Sequence, residues 1–261
     1  MRSNKVPVPS PSFWAVKVLT TGFGEALSDY LVRRFDPVPT VLVTAVVFTA
    51  VLAVQLGSRR YAPGRYWSAV VMVAVFGTMA ADAAHVAVGV PYWASSLAFA
   101  GALATVFVGW RRTAGSLDVH GIDTLRRELW YWAAVAATFA LGTAVGDLVA
   151  SLAGLGFLAG GVLFLAAIGL VAALRGFQVL GPVTAFWAAY VLTRPLGASF
   201  ADWVAVEPAR GGLGAGTGPV SAVLGIVIVV SVSTVATGRR RPVASPPGGA
   251  TAPHAPPGPR R

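Results

Sequence analysis

Apolar residues recur along the chain in eight blocks, at about 13–32, 38–57, 66–88, 92–110, 130–151, 156–174, 183–205 and 217–237. Each block approaches the roughly 20 residues that a helix needs to cross a bilayer. The pattern therefore predicts an all-α integral membrane protein with eight transmembrane helices joined by short connections. Two connections are longer: 111–128, which reads RRTAGSLDVHGIDTLRRE, and the glycine-rich 207–216. The membrane domain is expected over 12–237, after a polar, proline-containing lead at 1–11 that reads as a cytoplasmic lead-in and not as a signal peptide. Residues 238–261, GRRRPVASPPGGATAPHAPPGPRR, carry too little apolar surface to offset the entropy of ordering and are predicted to be a disordered tail.

The blocks are related to one another. FWAVKVLTTGFGEALSDYL (13–31), YWSAVVMVAVFGTMAADAA (66–84), YWAAVAATFALGTAVGDLV (131–149) and FWAAYVLTRPLGASFADWV (186–204) align without gaps. Each opens on an aromatic residue and a tryptophan (Trp14, Trp67, Trp132, Trp187). A glycine follows ten positions after the tryptophan (Gly24, Gly77, Gly142, Gly197) and an aspartate fifteen after it (Asp29, Asp82, Asp147, Asp202). Each copy extends through a second apolar block, giving two-helix repeats at about 13–57, 66–110, 131–175 and 186–237. Because each repeat holds two spans, all four enter the membrane with the same orientation, and the repeats are parallel. At about 100° per residue, the offsets 0, +4, +7, +11 and +15 fall on one stripe roughly 80° wide. In the first repeat that stripe reads Trp14, Val18, Thr21, Glu25, Asp29; in the fourth it reads Trp187, Val191, Arg194, Ala198, Asp202.

Composition supports the membrane reading. Hydrophobic residues make up 56% of the chain and charged residues 11%, where a soluble domain carries about 25% charged; mean hydropathy is +0.70. A net charge of +10 would suit nucleic acid, but the basic residues come as pairs and triplets between apolar blocks: Arg59/Arg60, Arg111/Arg112, Arg126/Arg127, Arg239/Arg240/Arg241. No basic stripe is interleaved with stacking aromatics, which excludes a nucleic-acid groove. With the N-terminus inside, fifteen Lys and Arg residues fall on inner segments and three (Arg33, Arg34, Arg210) on outer loops. The bias predicts a multi-pass protein of the cell membrane with both termini cytoplasmic. The chain has no cysteine, so disulfides and thiolate chemistry are absent.

Ionisable residues inside a membrane are costly and by default mark a pathway. The candidates are Glu25, Asp29, Asp82, Asp147 and Asp202, helped by the hydroxyls of Thr78 and Thr143. Five acids against Lys17 and Arg194 leave a surplus that a bound cation or protons would neutralise. Glu25 and Asp29, at i and i+4, share a helix face, and with the other three aspartates they are candidate ligands for a hard metal ion; His85, three residues after Asp82, would suit a softer one. Arg194 is expected to act as a counter-ion and to pair with Glu25, the acid nearest its depth. Lys17, a second candidate counter-ion, lies near the inner interface, where its side chain can snorkel. No nucleophile–base constellation, P-loop or HExxH motif is present, so neither an enzyme nor a cofactor is expected.

At the repeat the chain resembles the bacterial uncharacterised membrane-anchored proteins made of four tandem two-helix repeats with a tryptophan in each. KVPVPSPSFWAVKVLTTGFGEALSDYL, YWAAVAATFALGTAVGDLV and FWAAYVLTRPLGASFADW carry the likeness, which covers residues 5–237. The second repeat departs most, with Val73 and Ala74 where the first has Thr20 and Thr21. The resemblance implies the fold and the number of spans and no established activity.

These features make a transporter or exporter of a cation, with proton coupling through the aspartates, the leading expectation. A membrane scaffold with hydrated, inert acids and a transporter of a small organic solute are the rivals. Expected partners are the lipid bilayer, a cation, protons and a second copy of the chain. Single cysteines introduced into the cysteine-free chain at 33–37, 88–91, 152–155 and 207–216 should react with an impermeant thiol reagent from outside. Those at 58–64, 113–125 and 240–261 should not. Labelling of both sets from one side would overturn the eight-span arrangement.

Overall fold

The computed structural model describes residues 4–152 and 155–238; the expected disordered tail lies, but for its first residue, outside the described residues. Among them the chain is all-helical, with no strand. The helices are α1 (Pro11–Arg34), α2 (Pro37–Gly57), α3 (Pro63–Val88), α4 (Tyr92–Ala114), α5 (Leu125–Leu152), α6 (Gly156–Gly176), α7 (Pro182–Ala205) and α8 (Thr217–Gly238). Proline opens α1, α2, α3 and α7, where its missing N–H has no intrahelical partner to lose. Ser10 and Asp36 cap α1 and α2 by accepting from the backbone N–H groups of Phe13 and Val38. Gly89 and Gly115 end α3 and α4 at φ 67° and 78°, a left-handed conformation that costs glycine little.

Six helices, α2 to α6 and α8, are long and apolar enough to cross a membrane. α1 and α7 have 24 residues each, but Lys17, Glu25 and Asp29 in the first and Arg194 and Asp202 in the second lower their apolar content. The other helices leave Leu42, Val46, Leu163, Leu170, Ile226 and Val230 exposed. A belt of bare aliphatic side chains suits lipid and not water.

The first helices of the four repeats, α1, α3, α5 and α7, pack side by side in that order, and α7 returns to α1, so they close a ring. Each second helix lies mainly against the first helix of the following repeat: α2 on α3, α4 on α5, α6 on α7, and α8 back on α1.

Two of the three sequence signatures are the contacts that close this ring. The aromatic residue before each tryptophan packs on the tryptophan of the next repeat: Phe13 on Trp67, Tyr66 on Trp132, Tyr131 on Trp187 and Phe186 on Trp14. Their ring centroids are 5.6, 5.7, 6.1 and 5.5 Å apart. The glycines do the same half-way along the helices. A Cβ at Gly24 would lie 2.5 Å from Ala74 Cβ, one at Gly77 3.1 Å from Phe139 Cβ, and one at Gly142 2.5 Å from Arg194 Cγ; at Gly197 it would overlap the Thr21 hydroxyl. In all four cases the partner is the residue seven positions after the next repeat's tryptophan. Because low offsets meet low offsets and high meet high, the four ring helices run in the same direction.

The packing divides the stripe. Its positions seven and eleven after the tryptophan (Thr21, Ala74, Phe139, Arg194; Glu25, Thr78, Thr143, Ala198) lie on the buried arc, together with Phe13, Tyr66, Tyr131, Phe186 and Thr20, Val73, Thr138, Thr193 on the glycine side. Val18, Val71, Ala136, Val191 and the four aspartates, at the far edge of the stripe, are half-buried.

The lead segment is also more ordered than its composition suggests. Lys5, Val6 and Pro7 are buried, and the Lys5 N–H donates to Ile122 O at 3.2 Å. With Val119 and Ile122, themselves buried, this segment covers the aromatic end of the ring.

Alanine at Gly24 would drive its methyl into α3 backbone, which cannot rotate away, so Gly24→Ala should lower stability in micelles by about 1–3 kcal/mol. Gly169, with nothing within 4 Å of a Cβ, is the control: Gly169→Ala should stay within about 0.5 kcal/mol of the parent. Equal unfolding midpoints for the two variants would contradict the ring contact.

Candidate functional site

Arg194 stands at the centre of the ring. Its neighbours come from three other helices, because the residue eleven positions after each tryptophan reaches its level. Its Nη2 donates to Glu25 Oε2 at 2.6 Å, to Thr78 Oγ1 at 2.6 Å and to Thr143 Oγ1 at 2.9 Å. The arginine side chain is 1% exposed and that of Glu25 9%. The Thr78 and Thr143 hydroxyls donate in turn to Ala74 O and Phe139 O one turn back. The expected pairing of Arg194 with Glu25 is thus present, but the two threonines serve the arginine and are not free to ligate a cation. Gly142 allows this geometry, since its bare Cα lets the Arg194 stem pass against α5. Pro195 follows at once and cannot donate to Val191 O, so α7 lacks one backbone hydrogen bond beside its most buried charge.

Lys17 departs from expectation. It does not reach the interface: its Nζ is fully buried, 4.2 Å from the ring centroid of Phe139 and 4.3 Å from that of Tyr190. It has no hydrogen-bond partner and no ion pair among the described residues. Three positions after Trp14, it lies on the buried arc, and the interface cannot be reached from there. Two aromatic faces, in place of a carboxylate, flank its amine nitrogen.

The four aspartates are half-buried, toward the ends of the ring helices away from the aromatic cap. Glu25, Asp29 and Asp147 are all near enough to act electrostatically on Asp82 and Asp202. Asp29 also accepts from Arg33 Nη2 at 2.7 Å, an i, i+4 pair whose arginine is 55% exposed. Among the described residues no group of three or more His, Asp or Glu able to hold a metal ion occurs, so Glu25, Asp29, Asp82, Asp147 and Asp202 are not gathered into one there. His85 is committed elsewhere, with Nδ1 2.9 Å from Val90 O, Nε2 3.1 Å from Ser95 Oγ and its ring 4.3 Å from that of Tyr92.

The opposite end of the ring is closed. Tyr66 and Tyr131 share a hydrogen bond of 2.6 Å between hydroxyls, and Phe13 and Phe186 lie 6.2 Å apart beside them. Outside this layer the Lys5 ammonium pairs with Glu128 and donates to Leu56 O at 3.1 Å, while Gln55 Nε2 donates to Glu128 Oε1 at 3.2 Å. Lys5 and Glu128 are each 1% exposed. The sequence placed Lys5 in the lead segment and Glu128 at the end of the 111–128 connection. The signal that would have found them is spacing: Glu128 precedes Tyr131 and Val135 at i+3 and i+7, on the buried arc of α5.

Residues 12–61, 65–116, 130–178 and 185–240 each match a Repeat of Unknown Function (DUF347). No curated protein and no solved structure matches the chain.

Removing one member of a buried ion pair leaves an uncompensated charge and costs about 3–5 kcal/mol. Arg194→Gln and Glu25→Gln should each lower the folded yield and thermal midpoint, and the double variant should recover at least half of the combined loss. Strictly additive losses would show the two charges to be uncoupled.

Proposed function

Because the chain belongs to the DUF347 repeat family, whose repeat carries no assigned activity, we propose its function from its charges: a proton-coupled transporter of a small cation that crosses the cell membrane eight times with both termini cytoplasmic. α1 and α7 are each about 36 Å long at 1.5 Å per residue. Their charges turn toward the ring and apolar helices cover their outer sides, which supports counting them as spans despite their composition.

The observation that carries the reading is the asymmetry along the ring: a cluster of half-buried acids at one end, a single Arg194–Glu25 pair half-way, and aromatic closure at the other. Such an arrangement admits a cation from the acid end only. A proton or cation arriving among the aspartates competes with Arg194 for Glu25, and the guanidinium, once released, must find another partner. The helix that carries it is weakened at Pro195, so α7 is the helix that rearranges in response. The missing chelate geometry favours protons and a loosely held cation over a tightly bound transition metal. One observation favours an inert scaffold for part of the cluster: Asp29, tied to exposed Arg33, resembles an ordinary helix-end pair.

Full-length protein in proteoliposomes should move protons in response to an inward cation gradient, tested with a pH-sensitive dye across monovalent and divalent cations. Asp82→Asn and Asp202→Asn should cut that flux at least tenfold without loss of folded protein, while Arg33→Gln should leave it within twofold. Absence of flux for every cation, or wild-type flux with all four aspartates replaced, would assign the acids to an inert scaffold.

A further inference from the structure

A cavity on the α6–α7–α1 side of the molecule plays no part in this site. It has a volume of about 850 Å³ and runs along the seam between α7 and α1, with α6 as its outer wall. Trp14, Ala15 and Val18 of α1 and Phe186, Ala189 and Leu196 of α7 form its floor; Leu165, Ile168 and Ala172 form its outer side. α6 meets α7 closely near its start, where Gly160 and Gly161 face Ser199 and Phe200. Toward the other end the small side chains of Ala172, Ala185 and Ala189 leave the seam unfilled.

Its chemistry is graded along its length. From Pro182 to Leu196 the α7 wall rises about 21 Å at 1.5 Å per residue, more than one leaflet of a hydrocarbon core about 30 Å thick. The deep part is aliphatic and aromatic except for Thr193, whose hydroxyl is spent on Tyr190 O at 2.7 Å. The charged and titratable side chains, Arg175 with His120 and Asp118 of the α4–α5 connection, lie at the mouth, where α6 ends and α7 begins. Asp118 already accepts from the His120 backbone N–H at 3.0 Å and lies 2.8 Å from its Nδ1, and the former bond holds its carboxyl below the usual carboxylate range. Arg175, exposed, makes no ion pair among the described residues. A cation at the membrane surface above a dry slot more than one leaflet deep is complementary to one class of molecule, an anionic head on an apolar chain.

We propose that this groove is a phospholipid site in the leaflet on the N-terminal side, with one acyl chain between α6, α7 and α1 and the phosphodiester on Arg175. The proposal needs the helices to lie in a bilayer but not the transport reading, so an inert scaffold would keep the site. The lipid would wedge the seam between the last and first ring helices, beside the Arg194 turn of α7.

The test uses the full chain, delipidated in detergent and reconstituted with a nitroxide-labelled phosphatidylglycerol, reading the motionally restricted signal by electron paramagnetic resonance. Wild type should hold about one restricted lipid per chain that resists a tenfold excess of unlabelled phosphatidylcholine. Leu165→Trp, which fills the groove from its exposed wall, should lower that signal at least fivefold with an unchanged thermal midpoint. Arg175→Gln should make it exchange several-fold faster. A restricted signal that phosphatidylcholine displaces fully, or that is equal in wild type and Leu165→Trp, reports only the ordinary lipid shell and overturns the proposal. If Leu165→Trp does not fold, Ile168→Phe is read by the same criteria.

Discussion

Backbone-to-backbone approach at four glycines constrains the rest of this molecule. Where Gly24, Gly77, Gly142 and Gly197 meet the neighbouring repeat, a methyl group would collide with backbone or the base of a side chain. Inside lipid no hydrophobic force drives one apolar helix onto another, so van der Waals fit and buried polar contacts have to do so. Four such fits, each handing on to the next repeat, turn a tandem duplication into a closed ring. The aromatic–tryptophan pairs fasten the same ring about one helix-third away, adding roughly 0.5–1.5 kcal/mol per pair beyond the area buried.

Closure then decides what the interior can contain. A ring of four helices leaves a narrow core with no bulk water, where the guanidinium of Arg194 is tolerable only because one carboxylate and two hydroxyls reach it. The symmetry is broken there for a reason: with four identical residues at that level, no repeat could supply the cation and another the anion. The fourth copy gives Arg194 seven positions after its tryptophan, and the other three give Glu25, Thr78 and Thr143 eleven positions after theirs. Repetition builds the frame, and divergence within it builds the site.

Much of the frame was legible because the sequence repeats it four times: helix positions and their common direction follow from offsets of an aromatic, a glycine and an aspartate, whereas closure into a ring is seen in the packing of α7 on α1. The Arg194–Glu25 pair was legible from depth alone, since only one acid shares that level. Lys17 was misread because distance from the helix start suggested an interface, whereas rotation about the helix axis decides burial. Lys5 and Glu128 were hidden because pairing across 123 positions leaves no local pattern.

That α8 covers α1 has a consequence for how the protein is made. α1 emerges first, carrying Lys17, Glu25 and Asp29, yet Arg194 on α7 and the covering face of α8 lie some 170 or more residues downstream. At about 5–20 residues per second, synthesis takes on the order of ten to thirty seconds to reach them. During that interval Glu25 lacks the guanidinium that pairs with it in the folded chain, and a chain that ends before α7 never acquires it.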